Sequence, residues 1–283
     1  MSLTADGTRA LSGAADTKLV LWNVKTAAPE KYLEGHKQGF VMASMSADGH
    51  RAVSNSSREN QALVWDLEEA KVIRSLGIRL TPAVGLRKGP PDIMSARMSP
   101  DGKLVVTSAV DKNFILWNLE TGRYREHLRR ADTAVLCLAF SGDQTRFAMT
   151  DDNQVVVVRA LQGEPAALVG HTDQVFCGAL SQDGRIAVTG GKDRKVMVWD
   201  VDTKEAWRVF EGHSDNILSV ALGADCKRVL SASVDKSLIL WDIEKGHAIN
   251  RMIFESPVLS VAWRGDVVVV GQGGGTVCFL EWR

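Results

Sequence analysis

Three things are scarce in these 283 residues: net charge, uninterrupted apolar sequence and closely spaced cysteine. Lys and Arg number 34 and Asp and Glu number 34, so the formal charge is +0. That removes the sequence-wide argument for a nucleic-acid or anionic-membrane partner, although a local patch stays open. No apolar run approaches the roughly 20 residues needed to cross a bilayer. The N-terminus also lacks a basic region followed by an apolar signal core, so a cytoplasmic protein without a membrane partner is expected. Cys137, Cys177, Cys226 and Cys278 lie far apart and form no C-x-x-C pair. Zinc and dithiol chemistry have no spacing to support them, and buried free thiols are expected.

What is present suits a globular chain: 45% apolar residues can build a core and 24% charged residues can cover it. One strand recurs seven times, as KLVLWN (18–23), ALVWDL (62–67), FILWNL (114–119), VVVVRA (155–160), VMVWDV (196–201), LILWDI (238–243) and VCFLEW (277–282). With Trp22, Trp65, Trp117, Val158, Trp199, Trp241 and Leu280 as the equivalent position, the steps are 43, 52, 41, 41, 42 and 39 residues. An apolar run ending near a turn Asp (Asp16, Asp111, Asp193, Asp235) precedes each of four of these strands. Before it come turns such as MSADG, MSPDG and LSQDG, closing at Gly49, Gly102 and Gly184. Asp-Gly suits tight hairpins because both residues tolerate positive φ. A further strand follows Trp-Asp, as in KYLEGH to His36 and WRVFEGH to His213.

Gly-His, Asp-Gly, Asp and Trp-Asp in that order, about 40–45 residues apart, resemble WD repeats over nearly the whole chain. The resemblance implies an all-β fold: a seven-bladed propeller of four-stranded antiparallel blades, with residues 1–283 as a single domain. A lone sheet of that size cannot bury both faces, so blades stack radially. The resemblance further implies structural hydrogen-bond sets of His171, Thr189, Asp193 and Trp199, and of His213, Ser231, Asp235 and Trp241. Only these two blades are expected to keep all four members. The sets repeat with the fold and no oxyanion-hole motif accompanies them, so a hydrolase triad is not the reading. The blade at Val158 has Val-Arg where others have Trp-Asp, and the last has Leu280-Glu281.

The chain opens on MSLTADG, the tail of an inner strand, and closes after VCFLEW without an outer strand. First and last blades are thus expected to be incomplete, in a fragment of a longer multidomain protein or a ring with an open seam. The closing VVVGQGGGTVCFLEWR resembles the last blade of propellers that end NACHT-type nucleotide-switch (STAND) proteins. DGTRALSGAADTKLVLWN resembles bacterial arrays attached to kinases or caspase-like proteases.

Function is expected from a binding face rather than from catalysis. By resemblance, inner-strand openings face the mouth of the ring at Gly39, Asp92, Ala134, Gln174, Asn216 and Pro257. Basic turn residues Lys18, Lys112, Arg194, Lys195 and Lys236 stand beside them, with Arg79, Arg87 and Lys88 on an insertion at Ile78–Pro91. A protein partner, an acidic or phosphorylated segment, or the chain's own upstream domain is the expected occupant. No cofactor, metal or catalytic residue is expected. GQGGGT (271–276) lacks the Lys-Ser/Thr of a phosphate loop and reads as a hairpin turn. Inner strands such as VMASMS and VLSVAW offer Arg97 and almost no ligand, which argues against a propeller enzyme with a channel site. Phe40, Phe176 and Trp263 sit in apolar runs and read as core rather than as a nucleic-acid stacking platform. The remaining alternative is constitutive scaffolding.

Overall fold

The computed structural model describes all residues except 78–91, 111–113, 129–134, 152–154, 161–164 and 282–283, and describes no side chains for 124–128, 135–136, 151, 155 and 159–160. Everything described is strand and turn, without helix. Blade 1 holds β1 (Ser2–Leu3), β2 (Arg9–Gly13), β3 (Leu19–Asn23) and β4 (Ala28–Leu33); blade 2 holds β5 (Val41–Met45), β6 (Arg51–Ser56), β7 (Gln61–Asp66) and β8 (Lys71–Gly77). Blade 3 follows with β9 (Ile93–Met98), β10 (Leu104–Ala109), β11 (Phe114–Asn118) and β12 (Tyr124–Leu128), and blade 4 with β13 (Val135–Phe140), β14 (Arg146–Asp151), β15 (Val155–Ala160) and β16 (Ala166–Val169). Blade 5 comprises β17 (Val175–Leu180), β18 (Ile186–Gly191), β19 (Lys195–Asp200) and β20 (Glu205–Glu211). Blade 6 comprises β21 (Ile217–Leu222), β22 (Arg228–Ser233), β23 (Ser237–Asp242) and β24 (His247–Ile253). Blade 7 has three strands, β25 (Val258–Arg264), β26 (Val267–Gln272) and β27 (Val277–Glu281).

This is a seven-bladed β-propeller, and its ring closes. Each inner strand touches the next, from β1 through β5, β9, β13, β17, β21 and β25 back to β1. At the closing seam Leu3, Ala10 and Val269 form a small core, and the rings of Trp22 and Phe279 lie 5.9 Å apart. Blade 1 has all four strands, the innermost only two residues long, whereas β27 has no described partner on its outer edge.

The central strands are covered on both faces, which is why they read as apolar runs without alternation. Val196, Met197, Val198 and Trp199 are each at most 4% exposed. Core clusters lie between blades: Leu33 of blade 1 packs with Leu63 and Trp65 of blade 2, and Phe210 of blade 5 with Trp241 of blade 6. On the face where first and second strands join, a hydroxyl two residues before each Asp donates to it at 2.6 Å, in Thr4–Asp6, Ser46–Asp48, Ser99–Asp101, Ser141–Asp143 and Ser181–Asp183. Residues 271–276 make the expected hairpin, with Gly275 at φ +83° and the Gln272 amide donating to the Thr276 carbonyl at 2.9 Å.

The register corrects one equivalence. Ala187 pairs with Trp199 and Val229 with Trp241, and the corresponding residue Phe147 pairs with Arg159. Arg159, not Val158, therefore holds the tryptophan position in blade 4. Where Trp is present, the outer strand carries an extra residue opposite it, as between Val198 and Trp199. The thiols also differ from expectation: Cys137 and Cys177 are buried, but Cys226 and Cys278 are only half-buried. Burial pushes the Cys177 thiol well above its ordinary pKa.

Candidate functional site

Among the described residues three blades, not two, carry a complete hydrogen-bond relay. His171 Nδ1 lies 2.7 Å from Asp193 and its Nε2 2.7 Å from Thr189 Oγ1, which accepts Trp199 Nε1–H at 2.8 Å. His213 repeats this with Asp235 at 2.9 Å and Ser231 at 2.7 Å, and Trp241 donates to Ser231 at 2.8 Å. The third set is His36, Ser54, Glu59 and Trp65, at 2.7 Å for each link. One tautomer satisfies every atom: Nδ1–H donates to the carboxylate, the hydroxyl donates to Nε2, and the indole donates to the hydroxyl oxygen. The histidines are at most 7% exposed. Burial alone would raise the Asp235 pKa. Ser237, the Ser214 amide and His213 outweigh burial and hold the carboxylate below its ordinary range. Glu59 was not legible because its turn is one residue longer and a glutamate replaces the aspartate. The spacing of 18 residues from Gly-His to the strand hydroxyl, shared by His36, His171 and His213, is the signal that finds it.

These relays hold the opposite face, the mouth, in place. Inner-strand openings bond to the turns between second and third strands: the Lys192 amide to the Gln174 carbonyl at 2.8 Å, Val234 to Asn216 at 3.0 Å, Val110 to Asp92 at 3.0 Å and Gly273 to Pro257 at 2.8 Å. Gln174, Asn216, Asp92, Arg194, Lys195 and Lys236 thus share one rim. Gly39 joins it in a conformational role, since its φ is +79° and a Cβ would lie 2.6 Å from Ser56 Oγ. The insertion residues Arg79, Arg87 and Lys88, together with Lys112 and Ala134, lie outside the described residues.

The rim is mixed in charge rather than uniformly basic. Lys195 is paired with Glu211 at 3.1 Å, Lys18 with Glu34 at 2.8 Å and Lys192 with Asp173 at 3.5 Å. Arg194 and Lys236 are exposed and make no ion pair among the described residues.

Within the rim lies an apolar collar that the sequence did not reveal. Five inner strands are irregular near their starts, leaving Met94, Leu136, Phe176, Leu218 and Leu259 out of register with the neighbouring strand. A bulge re-aims its side chain. Met94, Phe176, Leu218 and Leu259, with Met42, are half-buried near the starts of their inner strands. Phe40 is 41% exposed beside them. Phe40 and Phe176 therefore depart from the expected core placement; Trp263, 7% exposed, keeps it.

The profile described as WD domain, G-beta repeat, matches residues 85–118, 164–200 and 205–242. The chain is 27% identical to WD repeat-containing protein SL1-17 of Schistosoma mansoni over 68% of its own length and 61% of that protein. Identity is 26% to the WDS homolog of Arabidopsis thaliana over 71% of the chain and 38% of the relative. It is 27% to apoptotic protease-activating factor 1 of Rattus norvegicus over 59% of the chain and 12% of the relative. The chain thus spans less than two thirds of each of these relatives. Together with the seven-bladed fold, these matches support a WD-repeat family for the chain. They point in general terms to a protein-interaction scaffold. No described helix is long and apolar enough to cross a membrane.

Proposed function

We propose that this propeller grips a segment of a partner protein at the mouth, with the apolar collar as anchor and the charged rim as orienting element. The observation that carries the reading is the set of half-buried Met42, Met94, Phe176, Leu218 and Leu259, with exposed Phe40, gathered on adjoining inner strands. Apolar surface rimmed by polar groups marks interaction sites, and methionine-bearing ones repack around varied partners. Arg194 and Lys236, which make no ion pair among the described residues, suit an acidic or phosphorylated segment. The basic insertion residues Arg79, Arg87 and Lys88 and the turn residue Lys112 would add to that preference. Gln174, Asn216 and Asp92 supply hydrogen bonds. Catalysis has little support here, since WD-repeat propellers are generally non-catalytic modules.

The finer reading is a ligand-sensing or autoinhibitory propeller within a larger cytoplasmic signalling or defence protein, restraining its own upstream domain. It is supported by the resemblance of the last blade and by the match to apoptotic protease-activating factor 1, in which the matched portion is a small part. A constitutive scaffold differs only in never releasing its partner. To test the common core of both, the partner recovered with wild type is titrated against Phe176→Asp/Leu218→Asp. Loss of at least about tenfold in affinity, with the melting temperature within a few degrees of wild type, is expected. Undiminished binding would remove the collar from the site.

A further inference from the structure

One register level of the innermost strands sets blade 3 apart from the rest of the ring. The residue there pairs with the one that follows the tryptophan-paired position of its own blade: Ser2 with Leu11, Ser44 with Val53, Arg97 with Val106, Ala139 with Ala148, Ala179 with Val188, Ala221 with Leu230 and Ala262 with Val269. Six blades carry serine or alanine at this level and blade 3 carries arginine. In blades 1 and 2 the side chain turns to the next blade, Ser2 Oγ accepting the Met45 amide at 3.1 Å and Ser44 Oγ the Met98 amide at 3.2 Å. Arginine can accept no such bond.

Arg97 makes no ion pair among the described residues, and its Nη1 returns to the carbonyl of its own neighbour Ala96 at 3.1 Å. The seven innermost strands contain no Asp or Glu, and their one other charge, Arg264, is exposed at the end of β25. The Arg97 side chain is half-buried, where a charge without a partner is costly. Its direction shows at Met1, whose nitrogen donates to Ser260 Oγ of blade 7 at 2.9 Å. Burial, and after it the charge of Arg97, hold that amine down at about 5. A side chain of blade 3 that acts on residue 1 past blade 2 extends toward the middle of the ring.

We propose that Arg97 receives a side-chain carboxylate of the segment gripped at the mouth. The inference rests on the mouth reading and deepens it, by naming the chemistry of the guest below the collar. Met94 of the collar and Arg97 are three residues apart on β9, about 10 Å along an extended strand. An extended guest entering the ring thus sets an apolar residue at the collar and Asp or Glu about three residues further in. The guanidinium fork takes both oxygens of that carboxylate, a charge-assisted pair that strengthens away from bulk water. Serine and alanine on the other six blades offer the carboxylate no rival charge and little obstruction.

The probe is a display library of random peptides of about twelve residues, long enough to span collar and Arg97. It is selected in parallel on the full-length gene product, on Arg97→Ala and on Phe176→Asp/Leu218→Asp. Wild type is expected to enrich an acidic residue about three positions from an apolar one. Arg97→Ala should keep the apolar preference and lose the acidic one, and should bind the leading wild-type peptide at least about tenfold more weakly by fluorescence anisotropy. Its melting temperature should match or exceed that of wild type, because blades 4 to 7 carry alanine there; a role confined to holding the fold would lower it. Arg97→Glu should select Lys or Arg in place of the acid. Identical selections from wild type and Arg97→Ala, with the apolar preference lost on the collar variant, overturn this inference and leave the mouth standing. Identical selections from all three proteins, or no enrichment on any, overturn both.

Discussion

Glu59 accepts the Nδ1 proton of His36 at 2.7 Å and also the amides of Lys37 and Gln38, through its other oxygen. It does for blade 2 what Asp193 and Asp235 do for blades 5 and 6, from a longer turn with a longer side chain. Glu59→Ala removes the acceptor of a buried imidazole and should cost about 1–3 kcal/mol of stability. Urea unfolding reads this directly. A variant as stable as wild type would mean that the relay of blade 2 is idle.

Gly212 shows why Gly-His is a pair rather than two independent preferences. Its missing Cβ leaves room for Trp241, and the next residue, His213, bonds to Ser231 beside the same indole. Gly212→Ala must displace a ring packed in the core, so a loss of about 1–3 kcal/mol is expected. Gly274→Ala, in an exposed turn with only Ser256 Oγ nearby at 3.7 Å, is the control and should be near neutral. Equal effects of the two would contradict the packing argument.

His213 gives the fold an acid sensitivity. Burial lowers its pKa below 6.5, although the Asp235 carboxylate opposes this. A folded pKa below the unfolded one means that the folded state binds protons less readily. The contribution is full above about pH 6.5 and falls as pH drops from there toward the folded value. Asp193, Asp235 and Glu59, held below their ordinary values of 3.8, 3.8 and 4.5, add a second loss at lower pH. Thermal melts from pH 8 to 3 should show a decline beginning below about 6.5 that His213→Gln lacks. A melting temperature independent of pH between 7 and 5 would contradict this.

Arg208 ties blade 5 to blade 6 at the circumference, donating to the carbonyls of Ile243 at 2.9 Å and Glu244 at 3.1 Å. Lys31 makes the same clamp from blade 1 to Leu67 and Glu68. Arg208→Ala should destabilise by about 1–2 kcal/mol, because charge-assisted bonds to backbone are lost at a half-buried site. Hydrogen exchange at Ile243–Lys245 should rise with it; unchanged protection there would rule the clamp out.

The blade count and strand order were legible because each central strand is buried on both faces, so VMVWDV and LILWDI repeat as apolar runs of one length. Two relays were legible because His171 and His213 stand at fixed distances from their Asp. The relay through Glu59 was hidden by a single-residue lengthening, and the position of Arg159 by a run of four valines in which nothing marks the register. The collar was hidden for another reason. Phe176 and Leu218 look like core in sequence, and the backbone irregularity that sets them out of register and leaves them half-buried is not marked in it.

The most direct test of an interaction mouth is the dissociation constant of the partner for wild type, Phe176→Asp/Leu218→Asp and Trp207→Asp, measured by calorimetry on proteins of matched melting temperature. Trp207 is 47% exposed on the outer circumference and is the apolar surface control. Weakening of at least about tenfold by the collar variant alone is the expected result. Weakening by the Trp207 variant, with the collar variant unchanged, would contradict the account and move recognition to the outer circumference.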